Sequence, residues 1–176
     1  FICNVLKPKK ITYKHIDELF SMLCEFGYTK QVEFVLGCKT DINLHYKNDL
    51  PLQLAIENGH LDVIKLLCSY GLIPSDYIMN IACQEGYYEI VRYLSEIDFI
   101  PDLGIVYAAN RGHLDIVKYL HENCNKKIDT LCIKRAIYNN NINVVKYILQ
   151  FKSVETYMII TALNSRNTSL IDLFFN

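Results

Sequence analysis

The sequence predicts an all-α solenoid of stacked helical hairpins. The first observation is a recurring phrase: Ala55-Ile-Glu-Asn-Gly-His-Leu-Asp-Val-Ile-Lys-Leu-Leu67 returns as Ala82-Cys-Gln-Glu-Gly-Tyr-Tyr-Glu-Ile-Val-Arg-Tyr-Leu94, as Ala108-Ala-Asn-Arg-Gly-His-Leu-Asp-Ile-Val-Lys-Tyr-Leu120 and as Ala136-Ile-Tyr-Asn-Asn-Asn-Ile-Asn-Val-Val-Lys-Tyr-Ile148. Weaker copies occupy 23–35 and 162–174. The second is the period. Counted from the alanine, or from Leu23 in the first copy, the anchors stand at 23, 55, 82, 108, 136 and 162, at intervals of 32, 27, 26, 28 and 26 residues. A short fixed period means one supersecondary unit stacked on copies of itself, because a single unit cannot bury its apolar face alone.

Within each unit two apolar segments of helical spacing flank a tight turn. Turn and N-cap residue types mark the starts of the first helices: Leu50-Pro51, Pro74-Ser75-Asp76, Pro101-Asp102, Asp129-Thr130 and Ser153. Each first helix ends at a residue suited to the left-handed conformation, namely Gly27, Gly59, Gly86 and Gly112, with Asn140 as a tolerated substitute and Arg166 as a misfit. Second helices open on an acid with a cation three residues on, as in Asp62/Lys65, Glu89/Arg92 and Asp115/Lys118. Each such pair contributes a few tenths of a kcal/mol on a solvated outer face. The alanine anchors let neighbouring helices approach closely. About six repeats result, over roughly 12–39, 40–71, 75–98, 101–124, 129–151 and 155–176, in one array spanning 1–176. Phe1-Ile-Cys-Asn-Val-Leu6 reads as the tail of an earlier second helix. Met158, Ile159, Ile160, Ile171, Phe174 and Phe175 would leave an apolar patch on the last repeat, so the stretch is expected to be a fragment of a longer array.

Composition narrows the function. With 51% apolar residues in 176, the chain can bury a continuous core. A net charge of −1 supplies no global field for nucleic acid or an anionic membrane. No apolar stretch approaches the ~20 residues that span a bilayer. The seven cysteines form no Cys-x-x-Cys pair and their number is odd. Several fall inside the helical pattern, where a thiol acts as a small hydrophobe. The natural setting is a reducing intracellular compartment, the cytoplasm.

No P-loop, Gly-x-Ser-x-Gly or His-Glu-x-x-His motif appears, and a stack of hairpins offers no water-excluding pocket, so no enzyme, cofactor or small-molecule substrate is expected. His60 and His113 recur because the repeat recurs, which points to a role in the turn. His121-x-x-Cys124 lacks a second pair at zinc spacing and is not expected to hold metal. Two small basic spots, Lys7-Pro-Lys-Lys10 with Lys14 and His15, and Lys126-Lys127 with Lys134-Arg135, lack interleaved aromatics and argue poorly for nucleic acid.

Gly59-His-Leu-Asp-Val-Ile-Lys-Leu-Leu67 and Gly112-His-Leu-Asp-Ile-Val-Lys-Tyr-Leu120 resemble the second-helix signature of ankyrin repeats, and Leu50-Pro51-Leu52-Gln53-Leu54-Ala55 resembles the family's Thr-Pro-Leu-His-x-Ala. In style and composition the chain resembles the ankyrin arrays of giant DNA viruses of amoebae, the mimivirus-like group; if viral, it would act in the host cell. Two departures stand out. Ankyrin repeats run to ~33 residues, whereas four of the intervals here are 26 to 28. The missing residues are those of the family's β-turn finger, so only Thr40 to Asp49 has room for a nearly full one. The motif His is replaced in turn by Gln53, Asn80, Val106, Lys134 and Ile160.

The resemblance implies a function: binding a partner protein through the concave face. In ankyrin proteins the residues two and three past the anchor border that groove. Here they vary while the framework repeats: Glu57 and Asn58, Gln84 and Glu85, Asn110 and Arg111, Tyr138 and Asn139, and Asn164 and Ser165. Two alternatives stand beside it. One is the substrate-recognition arm of a ubiquitin-ligase adaptor, whose F-box or BTB-like part would lie outside this stretch. The other is a structural spacer in a longer chain.

Overall fold

Short helices make up the computed structural model, which describes residues 13–38 and 42–175. In chain order the helices are α1 (Tyr13–Glu25), α2 (Thr29–Gly37), α3 (Leu50–Glu57), α4 (Leu61–Ser69), α5 (Asp76–Glu85), α6 (Tyr88–Glu96), α7 (Gly104–Arg111), α8 (Leu114–Glu122), α9 (Thr130–Tyr138), α10 (Ile142–Ile148), α11 (Thr156–Ser165) and α12 (Thr168–Phe175). No strand occurs among the described residues. The chain divides between Ser75 and Asp76 into two units, α1–α4 and α5–α12. Within each, first helices pack on first helices (α1 on α3; α5, α7, α9 and α11 in series) and second helices on second helices.

The period has a physical cause in how each hairpin closes. The amide of the residue after the glycine bonds back to the anchor carbonyl: His60 N to Ala55 O at 2.9 Å, Tyr87 N to Ala82 O at 3.1 Å, His113 N to Ala108 O at 3.0 Å and Asn141 N to Ala136 O at 2.9 Å. Gly59 N and Asn140 N bond to the carbonyls one residue past the anchor. This six-to-one closure needs a left-handed residue between helix and exit. Gly27, Gly59, Gly86 and Gly112 supply it with φ of +69°, +75°, +83° and +86°, and Asn140 does so at +59°. Arg166 takes the same path at +56°, a strained choice for a residue with a Cβ.

The side chain after the glycine reaches into the repeat before it. His60 Nε2 bonds Glu25 O at 2.8 Å, His113 Nε2 bonds Gln84 O at 2.9 Å, and Asn141 Nδ2 bonds Ala109 O at 2.7 Å and Asn110 O at 3.0 Å. Each of these carbonyls lies near the end of a first helix, where helical partners run out. The donors lie flat against the preceding glycine: a Cβ on Gly27, Gly86 or Gly112 would stand 2.5, 2.5 or 2.7 Å from His60, His113 or Asn141. Glycine is therefore fixed twice over, by its dihedral and by its neighbour. The turn role expected of the histidines takes this form, as ties between copies.

Burial follows the same register. Ala55, Ala82, Ala108, Ala136 and Ala162 are buried, as are Phe20, Leu52, Met79, Ile105 and Ile133 three residues before the anchors and Met158 four before the last. From the second helices come Val63/Ile64/Leu67, Ile90/Val91/Leu94, Ile116/Val117/Leu120 and Val144/Val145/Ile148. The thiols of Cys24, Cys83 and Cys132 are buried too, and desolvation pushes each up to about 12. They pack as hydrophobes.

Several local expectations are corrected. Helix α7 begins at Gly104 rather than at Pro101-Asp102, and α11 begins at Thr156 behind Glu155 rather than at Ser153. The described part of the 40–49 connection forms no finger. Lys47, Asn48 and Asp49 run through three consecutive left-handed conformations, at φ of 46°, 58° and 63°. Side chains hold this turn: Asp17 Oδ1 accepts from Asn43 N at 2.9 Å, Tyr46 Oη donates to Glu18 at 3.2 Å, and His45 meets Asp49 at 2.6 Å. Of the acid–cation pairs, Glu89 and Arg92 meet at 2.6 Å, whereas Asp115 accepts from Ile116 N and Lys118 lies over the Tyr147 ring. Of the residues expected in an apolar end patch, Met158 is fully buried, whereas Ile160 and Phe175 are exposed, and Leu163 is exposed with them. Phe1–Leu6 and Lys7–Lys10 lie outside the described residues.

Candidate functional site

A helix that buries the anchor and the residue three before it presents its opposite face elsewhere. On α5, α7, α9 and α11 that face carries the residues five and one before the anchor and two after it, an i, i+4, i+7 stripe. The stripe reads Tyr77, Ile81, Gln84; then Leu103, Tyr107, Asn110; then Leu131, Arg135, Tyr138; then Tyr157, Thr161, Asn164. In the middle of it lies an open groove of about 420 Å³, lined by Gln84, Leu103, Val106, Tyr107, Asn110, Leu131 and Arg135.

Its apolar members are not covered. Leu103 is 46% exposed, Tyr107 36% and Leu131 42%, with Tyr77 at 65% and Tyr138 at 70% toward its rims. Single exposed apolar side chains are ordinary. A contiguous set lining one groove is the usual mark of a contact surface. The polar members are mostly amides. Asn139 Nδ2 donates to Asn110 Oδ1 at 2.8 Å, tying α9 to α7 at the groove edge, and Gln84 Nε2 donates to Glu85 Oε1 at 2.9 Å.

Of the ten residues singled out in the sequence, Gln84 and Asn110 line this groove, and Asn164 and Ser165 lie in the last turn of α11. Glu85, Arg111, Tyr138 and Asn139 stand exposed at the ends of their helices in the same unit. Glu57 and Asn58 belong to the first unit, at the end of α3. There Glu57 accepts from Gln53 Nε2 at 2.8 Å, and Asn58 Nδ2 donates to Leu54 O at 2.9 Å. Asn139 makes the same back-bond, to Arg135 O at 3.0 Å. Asn58 and Asn139 therefore finish their helices as well as facing outward. Sequence reasoning missed Leu103, Tyr107, Leu131 and Arg135. The signal was present: the positions five and one before the anchor also vary from copy to copy.

The other candidates are placed as structural groups. His121 Nδ1 donates to Tyr147 Oη at 2.9 Å, and that hydroxyl donates to Glu122 Oε1 at 2.8 Å. Phe151 packs edge-on against both rings, with centroids at 4.9 and 5.1 Å. Burial, and then the Glu122 carboxylate, push the Tyr147 phenol upward, so it remains a donor. Lys126 pairs with Asp102 at 3.0 Å and Lys134 lies 5.1 Å over the Tyr157 ring, which leaves Arg135 as the cation in the groove. No described helix is long and apolar enough to cross a membrane.

Comparison with known proteins agrees with the geometry. Family models of ankyrin repeats match residues 20–103 and 105–149. An ankyrin repeat protein of Acanthamoeba polyphaga mimivirus is 22% identical over 214 residues, covering 86% of this chain and 55% of that relative. Another from the same virus is 30% identical over 139 residues, covering 74% of the chain and 29% of that protein. The chain thus spans about half, or less, of the length of the curated relatives it matches. Among solved structures, the ankyrin repeat domain of human ASB11 superposes with a TM-score of 0.72 at 18% identity, covering 89% of this chain and 81% of that one. Ankyrin repeats are in general protein-interaction modules. Repeat period, hairpin closure, helical stacking and family models converge, and the chain belongs to the ankyrin repeat family.

Proposed function

We propose that this chain binds another protein through the face its first helices present, with the groove around Tyr107 as the centre of contact. One observation carries the reading: Leu103, Tyr107 and Leu131 are large, apolar and a third to a half exposed, and they line one groove together. Tyrosine and arginine flanking that patch are the residue types that dominate binding energy at interfaces. A rigid framework that positions varied side chains loses little entropy on binding. Buried thiols that pack as hydrophobes suit a reducing compartment, so the cytoplasm is the proposed setting.

The test compares two double substitutions in the chain used as bait in its native cell. Tyr107→Ser with Leu131→Ser should lose the partner that the parent retains. Glu89→Ser with Arg92→Ser, on the second helices, should keep it. The reverse pattern would contradict the reading.

A further inference from the structure

We propose that the groove of α5, α7 and α9 takes an acidic protein segment: a bulky apolar side chain seated among Leu103, Tyr107 and Leu131, with Asp or Glu beside it meeting Arg111 and Arg135. The inference rests on the reading of the groove as the binding face and adds the chemistry of its partner.

Charge distribution is the first argument. The chain as a whole carries −1, yet α7 and α9 hold three cations, Arg111, Lys134 and Arg135, and no carboxylate; on α5 the carboxylates are Asp76, in the first turn, and Glu85, which accepts from Gln84 Nε2 at 2.9 Å. The second helices α6 and α8 carry four acids, Glu89, Glu96, Asp115 and Glu122, against two cations, Arg92 and Lys118. The acids next to α7 and α9 in sequence are already engaged: Asp102 pairs with Lys126 at 3.0 Å, and Asp129 Oδ1 caps α9 through Cys132 N at 2.8 Å. Among the described residues no carboxylate lies within ion-pair distance of Arg111 or Arg135. Both guanidiniums are exposed, Arg135 in the groove lining and Arg111 at the end of α7 next to the lining residue Asn110, and each is able to meet a carboxylate with two parallel hydrogen bonds.

Spacing supplies the second argument. Arg111 lies four residues, just over one helical turn, beyond Tyr107, a rise of about 6 Å. Extended chain covers that distance in roughly two residues at about 3.3 Å each. An acid within about two residues of the apolar anchor therefore reaches Arg111 while the anchor sits on Tyr107. Gln84 and Asn110 line the same groove with amide groups, each carrying the donor and acceptor that a peptide bond requires. Three cations over two helices are too few to track a polynucleotide, whose binding scales with the number of phosphates neutralised.

The experiment selects short random peptides, displayed on phage, against the 176-residue chain and measures the winners by fluorescence anisotropy. The selected peptides should share an apolar residue with Asp or Glu within about two positions. Arg111→Glu with Arg135→Glu should weaken them at least about tenfold, and replacing the peptide acid by Lys should restore affinity to that variant. These exposed positions tolerate reversal without unfolding, which circular dichroism checks. Peptides lacking acids that still require Tyr107 and Leu131 would overturn this inference and leave the groove as the binding face. Peptides indifferent to the arginines and to Tyr107 and Leu131 alike would overturn both. A thymidine oligomer that displaces the peptides and binds more tightly would overturn the acidic-segment assignment in favour of single-stranded nucleic acid.

Discussion

At Gly86 two independent constraints meet in one missing methyl group. Its φ of +83° is one that L side chains adopt at a cost, and the space a Cβ would fill is held by the His113 ring at 2.5 Å. Gly71 has a comparable φ of +92° with open space around it. The pair separates strain from crowding. Gly71→Ala should cost about 1 kcal/mol, from the backbone alone. Gly86→Val should cost about 2 kcal/mol or more, because the ring must also leave Gln84 O. Urea denaturation of both variants checks the order, and equal losses would remove the docking argument. Arg166 is the converse case, a full side chain at φ +56° in the position glycine fills elsewhere. Arg166→Gly should raise stability by about 0.5–1 kcal/mol, read as a higher urea midpoint at unchanged slope. The dihedrals were legible in the sequence, since glycine or asparagine stands where the turn must go left-handed. The docked ring was not: it joins residues 27 or more apart, and nothing local announces it.

Among the helices, the starts of the first segments differ most. Asp129 is extended at φ −92°, ψ −178° and accepts from Cys132 N, which satisfies one of the amides left open at the start of α9. Glu155 holds a similar extended conformation before α11, at φ −113°, ψ 151°, and makes no side-chain cap bond. Its longer side chain places the carboxylate past the amide that the aspartate reaches. Asp129→Ala should therefore cost about 1 kcal/mol, and Glu155→Asp should gain a comparable amount. Thermal melts of the two variants test this, and a neutral result at both would show that tertiary packing alone fixes these starts. Asp129-Thr130 named its cap directly in the sequence. Ser153 misled because a cap residue type two places too early looks the same on paper, and only the course of the backbone decides which residue is half in the helix.

Across the molecule, the repeat made the architecture readable and also narrowed what could be read of the site. Anchors, turns and apolar pairs recur, so the helices and their stacking followed from the period. In the sequence the variation is most visible at the ends of the first helices, from Glu57 to Asn139. The structure extends the variable surface back along each helix to Leu103, Tyr107, Leu131 and Arg135, because seven residues of helix bring both ends onto one face. Leu103, Tyr107 and Leu131 look like core in a hydropathy count, and Arg135 reads as part of a basic spot. They stand out only once the residues facing inward are known. The most direct measurement on the claim that the first-helix face does the binding is site-specific photocrosslinking in the native cell. A benzophenone amino acid replaces Tyr107 in the groove, Tyr138 toward its rim, or Lys118 on a second helix, one at a time. Covalent adducts to one common partner from Tyr107 and Tyr138, with none from Lys118, are the predicted result. Adducts from Lys118 alone would contradict it.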